Sequence, residues 1–249
     1  KFVSSRLAIF KVFIMLLFNY IKYNTVIMNS VVITGASEGF GLALANKFVV
    51  EKWQVFSIAR HSCPNDKVIS IISDLSKKEG IKKAINDVKT LCPNVNLLIN
   101  NAGILYIEKL GNMSYENTNK LIKINLLAPM LLVSGLSQLI LKNNADIVNV
   151  ISTSAYKGRS SWSAYCSSKW GMRGFHECLK EEFDETSVRV MSINPPAFKS
   201  NHFKKAGIVA DMKDFVSPND LANILFMAVT TPKNIQVGEI IINKKKQYK

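Results

Sequence analysis

The stretch VVITGASEGFGLALA, residues 31–45, decides the fold, because a glycine-rich loop joins a short apolar run to a helical pattern. Gly35, Gly39 and Gly41 give the spacing G-x-x-x-G-x-G, which is typical of a loop that lets the pyrophosphate of a dinucleotide approach the backbone. The same letters contain G-x-S-x-G around Ser37, the turn that presents the nucleophile of a serine hydrolase. Both interpretations need a strand before the loop and a helix after it. The stretch therefore predicts the local fold and leaves its chemistry open.

Outward from this loop, apolar runs alternate with helical patterns. The predicted strands are Val31–Thr34, Gln54–Ala59, Val68–Ile72, Val95–Ile99, Asp146–Ile151, Val188–Ile193 and Gly238–Ile242. The predicted helices are Gly41–Val50, one with Ile81, Ala84, Ile85 and Val88 on a single face, Tyr115–Leu139, Ala164–Phe183, and one that begins at Ser217. This alternation predicts an α/β fold, a doubly wound parallel sheet of about seven strands with helices on both faces. In such a fold the loops at the carboxyl ends of the strands line one ligand site.

The composition is that of a globular protein with a strong basic excess. The 249 residues are 48% hydrophobic and 20% charged, and the net charge is +14. That charge favours anionic ligands, but the lysines are scattered along the chain and do not predict nucleic-acid binding. Four cysteines have no C-x-x-C spacing and no metal-like pairing with the three histidines. We therefore expect reduced thiols, a cytoplasmic location and no metal site.

The first 28 residues differ from the rest, and we assign the single folded domain to residues 29–249. Residues 1–28 contain four basic residues and no acidic ones, and they include the apolar run Leu7–Ile21. They are either a weak interfacial anchor or upstream sequence that ends before a true start at Met28. Membrane contact is expected only if this extension belongs to the native protein.

Residues that follow the second, third and fourth predicted strands indicate a nucleotide site. Arg60 stands where a carboxylate would bind the ribose hydroxyls of NAD, and a guanidinium can instead bind the 2′-phosphate of NADP. NADP(H) is therefore favoured over NAD(H), although Glu38 argues mildly against a phosphate there. Asp74 and Leu75 follow the third strand, where they could meet the adenine ring. The segment NNAG, residues 100–103, is small enough for a flat cofactor to pass close to the backbone.

Tyr165 and Lys169 lie four residues apart on a predicted helix, so their side chains share a face. A phenol with a pKa near 10 is a poor acid–base catalyst at neutral pH, and a nearby ammonium lowers that pKa. This spacing is common in a lysine-rich chain, so its weight depends on the accompanying motifs.

Those motifs occur together and in order. TGASEGFG at 34–41, NNAG at 100–103, Asn125 in KINLLAP, Ser152 thirteen residues before Tyr165, and YCSSK at 165–169 resemble the short-chain dehydrogenase/reductase family. The resemblance implies a Rossmann fold and an oxidoreductase that transfers hydride between a nicotinamide and a carbonyl or secondary alcohol. The C-terminal stretch is similar to the subgroup that acts on 3-hydroxy acids with NADP, and 3-oxoacyl thioesters are related candidates.

The family resemblance implies a role for each matching residue. Tyr165 would be the general acid or base, Lys169 would hold the ribose and lower the tyrosine pKa, and Ser152 would hydrogen-bond the substrate oxygen. Asn125 would hold a water that links Lys169 to solvent. The implied cofactor-binding residues are Gly35, Ser37, Gly39, Phe40, Gly41, Arg60, Asp74, Leu75, Asn101, Ala102, Gly103, Tyr165, Lys169, Pro195 and Ser200. The family also commonly forms homodimers or homotetramers.

Pro196 departs from the pattern, because the family commonly has glycine there, and proline fixes φ and lacks an N–H. In this family the loop after the sixth strand sets the substrate, and here that loop is Ala197–Ser217. It contains phenylalanines and lysines, which suggest a modest apolar substrate with an anionic group. Two alternatives stay open. One is an NADP-binding regulator without turnover, and the other is a serine hydrolase using Ser37, which follows the first strand whereas such a nucleophile normally follows several.

Overall fold

A computed structural model describes residues 28–209, 211–213 and 215–245, so the predicted extension, apart from Met28, lies outside the described residues. The strands are β1 Ser30–Thr34, β2 Gln54–Ala59, β3 Ile69–Ile72, β4 Leu97–Asn100, β5 Asp146–Val150, β6 Val190–Asn194 and β7 Glu239–Ile241. They form one parallel sheet in the order β3-β2-β1-β4-β5-β6-β7. The prediction of a doubly wound sheet of seven strands is confirmed.

Helices cover both faces of this sheet. They are α1 Gly39–Val50, α2 Lys78–Leu91, α3 Tyr115–Ile122, α4 Ala128–Asn143, α5 Ser163–Phe183, the short α6 His202–Lys205, and α7 Pro218–Val229. α1 and α7 pack on each other and cover one face, and α2, α4 and α5 cover the other. Ser217 accepts a hydrogen bond from the Asn219 backbone N–H and so caps α7 at the predicted position.

Alternating side chains of the central strands supply both cores. In β1, Val32 faces the core under α2 and α4, while Val31 and Ile33 face the core under α1 and α7. All three are fully buried, as expected for a parallel strand covered on both sides. The sheet is therefore a rigid support, and the loops at its carboxyl edge are placed by it.

A buried ion pair fixes the far end of the sheet. Arg189, just before β6, donates from Nη2 to Asp146 Oδ2 at 2.7 Å, and both residues are only 4% exposed. The same guanidinium also donates to the backbone carbonyls of Val229, Thr231, Pro232 and Ile235. It thereby ties the start of β5 to the segment that leads from α7 to β7.

The long helix predicted from Tyr115 is interrupted by a wide turn. Residues Lys123–Leu127 form a π-helical turn between α3 and α4, with backbone hydrogen bonds reaching five residues back. The continuous run Tyr115–Asn143 is long and apolar enough to cross a membrane by length and composition alone. In the fold α4 packs on α2 and contributes Leu132, Leu136 and Ile140 to the core, as a core helix does.

Candidate active site

A cavity of about 500 Å³ opens at the carboxyl edge of the sheet. It is lined by the loops after β1, β2, β3, β4, β5 and β6 together with the first turns of α1 and α5. The predicted site residues that line it are Gly35, Ser37, Gly39, Phe40, Gly41, Arg60, Asp74, Leu75, Asn101, Ala102, Gly103, Ser152, Tyr165, Lys169, Pro195 and Ser200. Asn125 is the one predicted site residue that lies behind the wall rather than in it.

Two glycines of the first loop are required by close backbone contacts. Gly35 has a positive φ of 73°, and a Cβ there would lie 2.9 Å from Ala102 Cα. A Cβ on Gly41 would lie 2.2 Å from the Gly35 carbonyl oxygen. Thr34 joins the two loops, because its Oγ1 accepts hydrogen bonds from the N–H groups of Asn101 and Ala102, each at 2.9 Å. The glycine loop and the NNAG segment therefore form one preorganised floor.

The N-terminus of α1 faces this cavity, and the side chain of Glu38, the residue at the capping position, does not cap it. The Glu38 carboxylate instead accepts hydrogen bonds from Asn201 Nδ2 at 3.2 Å and from Lys205 Nζ. Phe198 packs edge-on against Phe40, with ring centroids 5.9 Å apart. The loop after β6 thus lies against the glycine loop, and the N-terminal end of α1 can accept an anion.

Ser37 lines the same cavity as a half-buried loop residue. Neither His61 nor His176 lines the cavity, so neither can act as a base for it. His176 lies inside the core, beside Asn149 of β5. Among the histidines whose side chains the structure describes, none supports the hydrolase alternative.

Ser152, Tyr165 and Lys169 meet at the other end of the cavity. Ser152 follows β5, and its side chain hydrogen-bonds Tyr165 and accepts from the Ser154 N–H at 3.0 Å. Lys169 is 5% exposed, and its Nζ donates to the Val150 carbonyl at 3.2 Å and lies 5.9 Å from the centre of the Tyr165 ring. The helix spacing of four residues places the phenol and the ammonium on the same side of α5, as predicted.

Burial dominates the titration of both groups. Burial raises the pKa of Tyr165 to about 12, against a smaller lowering by the Ser152 hydrogen bond. Burial lowers the pKa of Lys169 to about 8. Burial thus outweighs the influences that lower the pKa of Tyr165, and the acidification of Tyr165 by Lys169 stays a prediction. At neutral pH the chain holds a protonated phenol and a charged lysine.

Asn125 links two walls of the site from behind. Its Oδ1 accepts from the Ile104 N–H at 2.8 Å, and its Nδ2 donates to the Ile104 carbonyl at 3.0 Å and to Ser168 Oγ at 3.1 Å. The side chain projects from the π-helical turn and joins the loop after β4 to α5. Its direct contacts are structural, and the water predicted for it stays a prediction.

Arg60 and Asp74 lie at the end of the cavity nearest the edge of the sheet. Arg60 is exposed and follows β2, while Asp74 Oδ1 accepts from the backbone N–H and the hydroxyl of Ser76. Although burial acts to raise it, the pKa of Asp74 falls below its usual value because of these hydrogen bonds and the charge of Arg60. Arg60 can bind an anion there.

The segment after β6 enters the cavity through its prolines. The Pro195 carbonyl accepts from the Thr153 N–H at 3.2 Å, and Pro196 also lines the wall. Farther along, the Lys199 N–H donates to the Val216 carbonyl at 3.0 Å. These bonds fix both ends of the loop that covers the Tyr165 end.

The sequence does not predict two basic residues of the wall, Lys120 of α3 and Arg159. Neither belongs to a motif, and each reaches the site only through the tertiary fold. An aromatic wall stands beside Arg159. In it Trp162 packs edge-on against Tyr165, with ring centroids 5.6 Å apart, and the Phe203 ring centroid lies 6.4 Å from that of Trp162. Trp162 thus extends the wall of the cavity beside Tyr165.

The residues present fit a nicotinamide dinucleotide. One continuous cavity joins Arg60 at the sheet edge, the N-terminus of α1 and the NNAG floor to Tyr165 and Lys169. Gly39 lies in this passage with a positive φ of 56°, a backbone conformation that favours glycine. Such a passage suits an elongated ligand with a central anion.

Comparison with known proteins gives consistent matches. A family model described as short chain dehydrogenase matches residues 29–208. The NAD-dependent glycerol dehydrogenase of Listeria innocua is 26% identical over 230 residues, which cover 85% of this chain and 90% of that protein. The NADP-dependent 3-hydroxy acid dehydrogenase of Schizosaccharomyces pombe is 24% identical over 236 residues, covering 86% and 91%. An alcohol dehydrogenase from the archaeon Thermococcus sibiricus, solved with 5-hydroxy-NADP, matches with a TM-score of 0.80 at 21% identity over 89% of this chain and all of that one.

The family match covers well over half of the chain, and the solved structure shows the same fold. The family predicted from the five motifs is thereby confirmed. The relatives include both NAD-dependent and NADP-dependent proteins. The comparisons therefore establish a nicotinamide cofactor and do not distinguish NAD from NADP. The chain is thus a member of the short-chain dehydrogenase/reductase family, an oxidoreductase that uses a nicotinamide cofactor.

Proposed function

We propose that this protein is an NADP(H)-dependent enzyme that interconverts a carbonyl and a secondary alcohol on a small, largely apolar substrate. The observation that carries the proposal is the single cavity that joins the anion-binding loop and Arg60 to Ser152, Tyr165 and Lys169. All of these residues line the same cavity. When bound, the nicotinamide supplies or takes up the hydride.

Tyr165 acts as the general acid in carbonyl reduction. As the carbonyl carbon gains hydride, its oxygen takes the phenolic proton, and Ser152 donates a hydrogen bond to the charge that develops there. A pKa of about 12 keeps Tyr165 protonated at neutral pH, which suits the reductive direction. In alcohol oxidation the same phenol must first lose its proton, so a nearby cation is needed.

Lys169 supports this cycle as a buried cation. With a pKa of about 8 it is charged at neutral pH and can attract the phenolate that remains after proton transfer. Asn125 holds the Ile104 loop against α5, and so keeps the wall beside Lys169 in place.

The preference for NADP(H) is supported by charge at the sheet-edge end. Arg60 lines the cavity there. Glu38, whose negative charge would disfavour a phosphate, forms an ion pair with Lys205. A guanidinium binds a phosphate through several N–H groups at once. The fission yeast relative named as NADP-dependent is consistent with this preference.

For the substrate we propose a 3-oxo or 3-hydroxy acid, or its acyl thioester. Trp162 and Phe203 form an apolar wall beside Tyr165, and Arg159 and Lys120 add positive charge to the same cavity. The fission yeast relative acts, by its name, on 3-hydroxy acids.

An oligomer is proposed on the basis of exposed apolar side chains on α4, α5 and the turn before α4. Leu127, Met130, Leu131 and Trp170 are each between 38% and 48% exposed. Pairing of these helices between two copies would cover them, giving a homodimer or a homotetramer.

The test is NADPH and NADH oxidation across a panel of ketones, aldehydes and 3-oxo acids, with wild-type enzyme and Tyr165→Phe. We expect faster turnover with NADPH, and loss of turnover in Tyr165→Phe with NADPH binding retained, as measured by NADPH fluorescence. Equal turnover by wild type and Tyr165→Phe would overturn the proposed mechanism. Binding of NADPH without turnover of any carbonyl would favour the regulatory alternative.

A further inference from the structure

Arg159 lies at the Tyr165 end of the cavity, in the loop that leads into α5. Its guanidinium stands over the Trp162 ring, with Cζ 5.5 Å from the ring centre. Trp162 in turn packs edge-on against Tyr165. The guanidinium is therefore one aromatic ring away from the phenol, a separation that a small molecule can span.

The loop that carries Arg159 is held in place from outside the cavity. The Ser161 carbonyl accepts from the Glu108 N–H at 2.9 Å, and the Trp162 N–H donates to the Arg159 carbonyl at 3.1 Å. Ser161 adopts a positive φ of 66°, which turns the chain sharply into α5. Arg159 is exposed overall, but its backbone is fixed.

Within the described part of the chain, no carboxylate lies at ion-pair distance from Arg159. The two acids that line the cavity are engaged elsewhere, Glu38 by Lys205 and Asp74 by Ser76. The other charged side chains that line the cavity are cations, and they include Arg159, Lys120 and Lys169. This end of the cavity thus has an excess of positive charge beside an apolar wall.

We propose that Arg159 binds the carboxylate of the substrate, so that the substrate is a free oxo acid or hydroxy acid rather than an acyl thioester. This inference rests on the proposed function, because it takes Tyr165 as the reacting end. In a free oxo acid the carboxylate lies only a few bonds from the carbonyl, as the Arg159–Tyr165 arrangement requires. In a carrier-bound thioester the acyl carboxylate has become a neutral carbonyl, and the nearest charge is a phosphate at the far end of a long arm.

A second observation agrees with this placement. The pKa of Tyr165 is raised chiefly by burial, and the positive charge of Arg159 acts in the opposite direction, as expected for a cation near the phenol. A guanidinium on an aromatic face retains N–H groups that can bind a carboxylate with two hydrogen bonds. Arg159 thus lies near the phenol and keeps N–H groups for a carboxylate, as recognition of an anionic substrate requires.

The first test compares 3-oxohexanoate with its methyl ester, two substrates that share a chain and differ in charge. Arg159→Gln should lower kcat/KM for the acid by about 10- to 100-fold and change that for the ester by less than about threefold. Arg159→Lys should retain part of the activity on the acid. Lys157→Gln is the matched control, since Lys157 is exposed on the same loop and does not line the cavity; it should change neither value.

The second test needs no turnover. Hexanoate should perturb tryptophan fluorescence at lower concentration than hexan-1-ol, and this difference should vanish in Arg159→Gln and persist in Lys157→Gln. Equal binding of the acid and the alcohol by wild type would overturn the inference, as would an equal loss on acid and ester in Arg159→Gln. If either outcome is found while the ester and ketones are still reduced, the Arg159 inference fails and the proposed function stands. Conversely, Arg159-dependent hexanoate binding with no reduction of any carbonyl would uphold the anion site and overturn the proposed function.

Discussion

The Lys169 ammonium is tied to the carboxyl end of β5 by a hydrogen bond from its Nζ to the Val150 carbonyl at 3.2 Å. This bond holds a charge inside the protein, where burial lowers the lysine pKa from 10.5 to about 8. The site therefore keeps its cation at a cost in folding stability.

Lys169→Met should raise the free energy of unfolding at pH 7 while activity is lost. The pKa difference between 10.5 and about 8 corresponds to about 3 kcal/mol, and loss of the hydrogen bond to Val150 offsets part of this. Because the native pKa lies below the unfolded one, the penalty is fully present below pH 8 and fades as pH rises toward 10.5.

The measurement for Lys169→Met is urea unfolding at pH 7 and pH 10. We expect a gain of about 1–3 kcal/mol at pH 7 and a much smaller one at pH 10. A variant that is less stable than wild type at pH 7 would contradict this account.

Arg60→Ala should weaken NADPH binding by about tenfold and change NADH binding by less than about twofold, because only NADPH carries a 2′-phosphate for the guanidinium. Lys67→Ala is the control, since Lys67 is exposed and lies outside the cavity wall. The two dissociation constants come from cofactor fluorescence titrations. An equal loss for both cofactors in Arg60→Ala would assign Arg60 a role other than phosphate recognition.

Pro196→Gly should bind cofactor at least as well as wild type, because glycine restores an N–H and a free φ at a position in the cavity wall. NADPH fluorescence at equilibrium measures this, and thermal unfolding checks that the loop still folds. A large loss of NADPH affinity in a stable variant would show that the proline, not glycine, shapes the site.

Arg189→Met should destabilise the fold by about 3 kcal/mol or more, because it leaves Asp146 buried without its main partner and frees several backbone carbonyls. Lys233→Met is the matched control. Lys233 also contacts Asp146, at 2.6 Å, but its side chain is 55% exposed, so its loss should cost about 1 kcal/mol or less. Urea unfolding distinguishes the two, and similar losses in both variants would rule out burial as the cause.

The sequence predicts most of the framework because local patterns determine it. The strand β2, Gln54–Ala59, has the predicted bounds because a short apolar run between two loops is typical of a buried strand. Val95, by contrast, lies outside β4 although it is buried. The next residue, Asn96, accepts a hydrogen bond from the Ser30 N–H through its side chain, and the register between β1 and β4 begins at Leu97.

The floor of the site is predictable for the same reason, and its outer wall is not. Gly35 and Asn101 follow strands whose edge the alternation already defines. Arg159 reaches the cavity through a turn fixed by Glu108, more than fifty residues earlier in the chain. Lys205 meets Glu38 across 167 residues. Contacts of this separation depend on tertiary packing and leave no periodic trace in the sequence.

The wide turn at Lys123–Leu127 amounts to a one-residue insertion in an otherwise regular helix. Each residue of an α-helix advances the direction of its side chains by about 100°, so this insertion sets the angular phase of everything before it relative to α4. Deleting one residue there would leave α4 seated on α2 but swing Lys120 out of the wall of the cavity. The same deletion would remove the hydrogen bond from the Ile104 N–H to Asn125. A single additional residue thus sets the rotation of α3, which carries Lys120, relative to α4, which packs in the core.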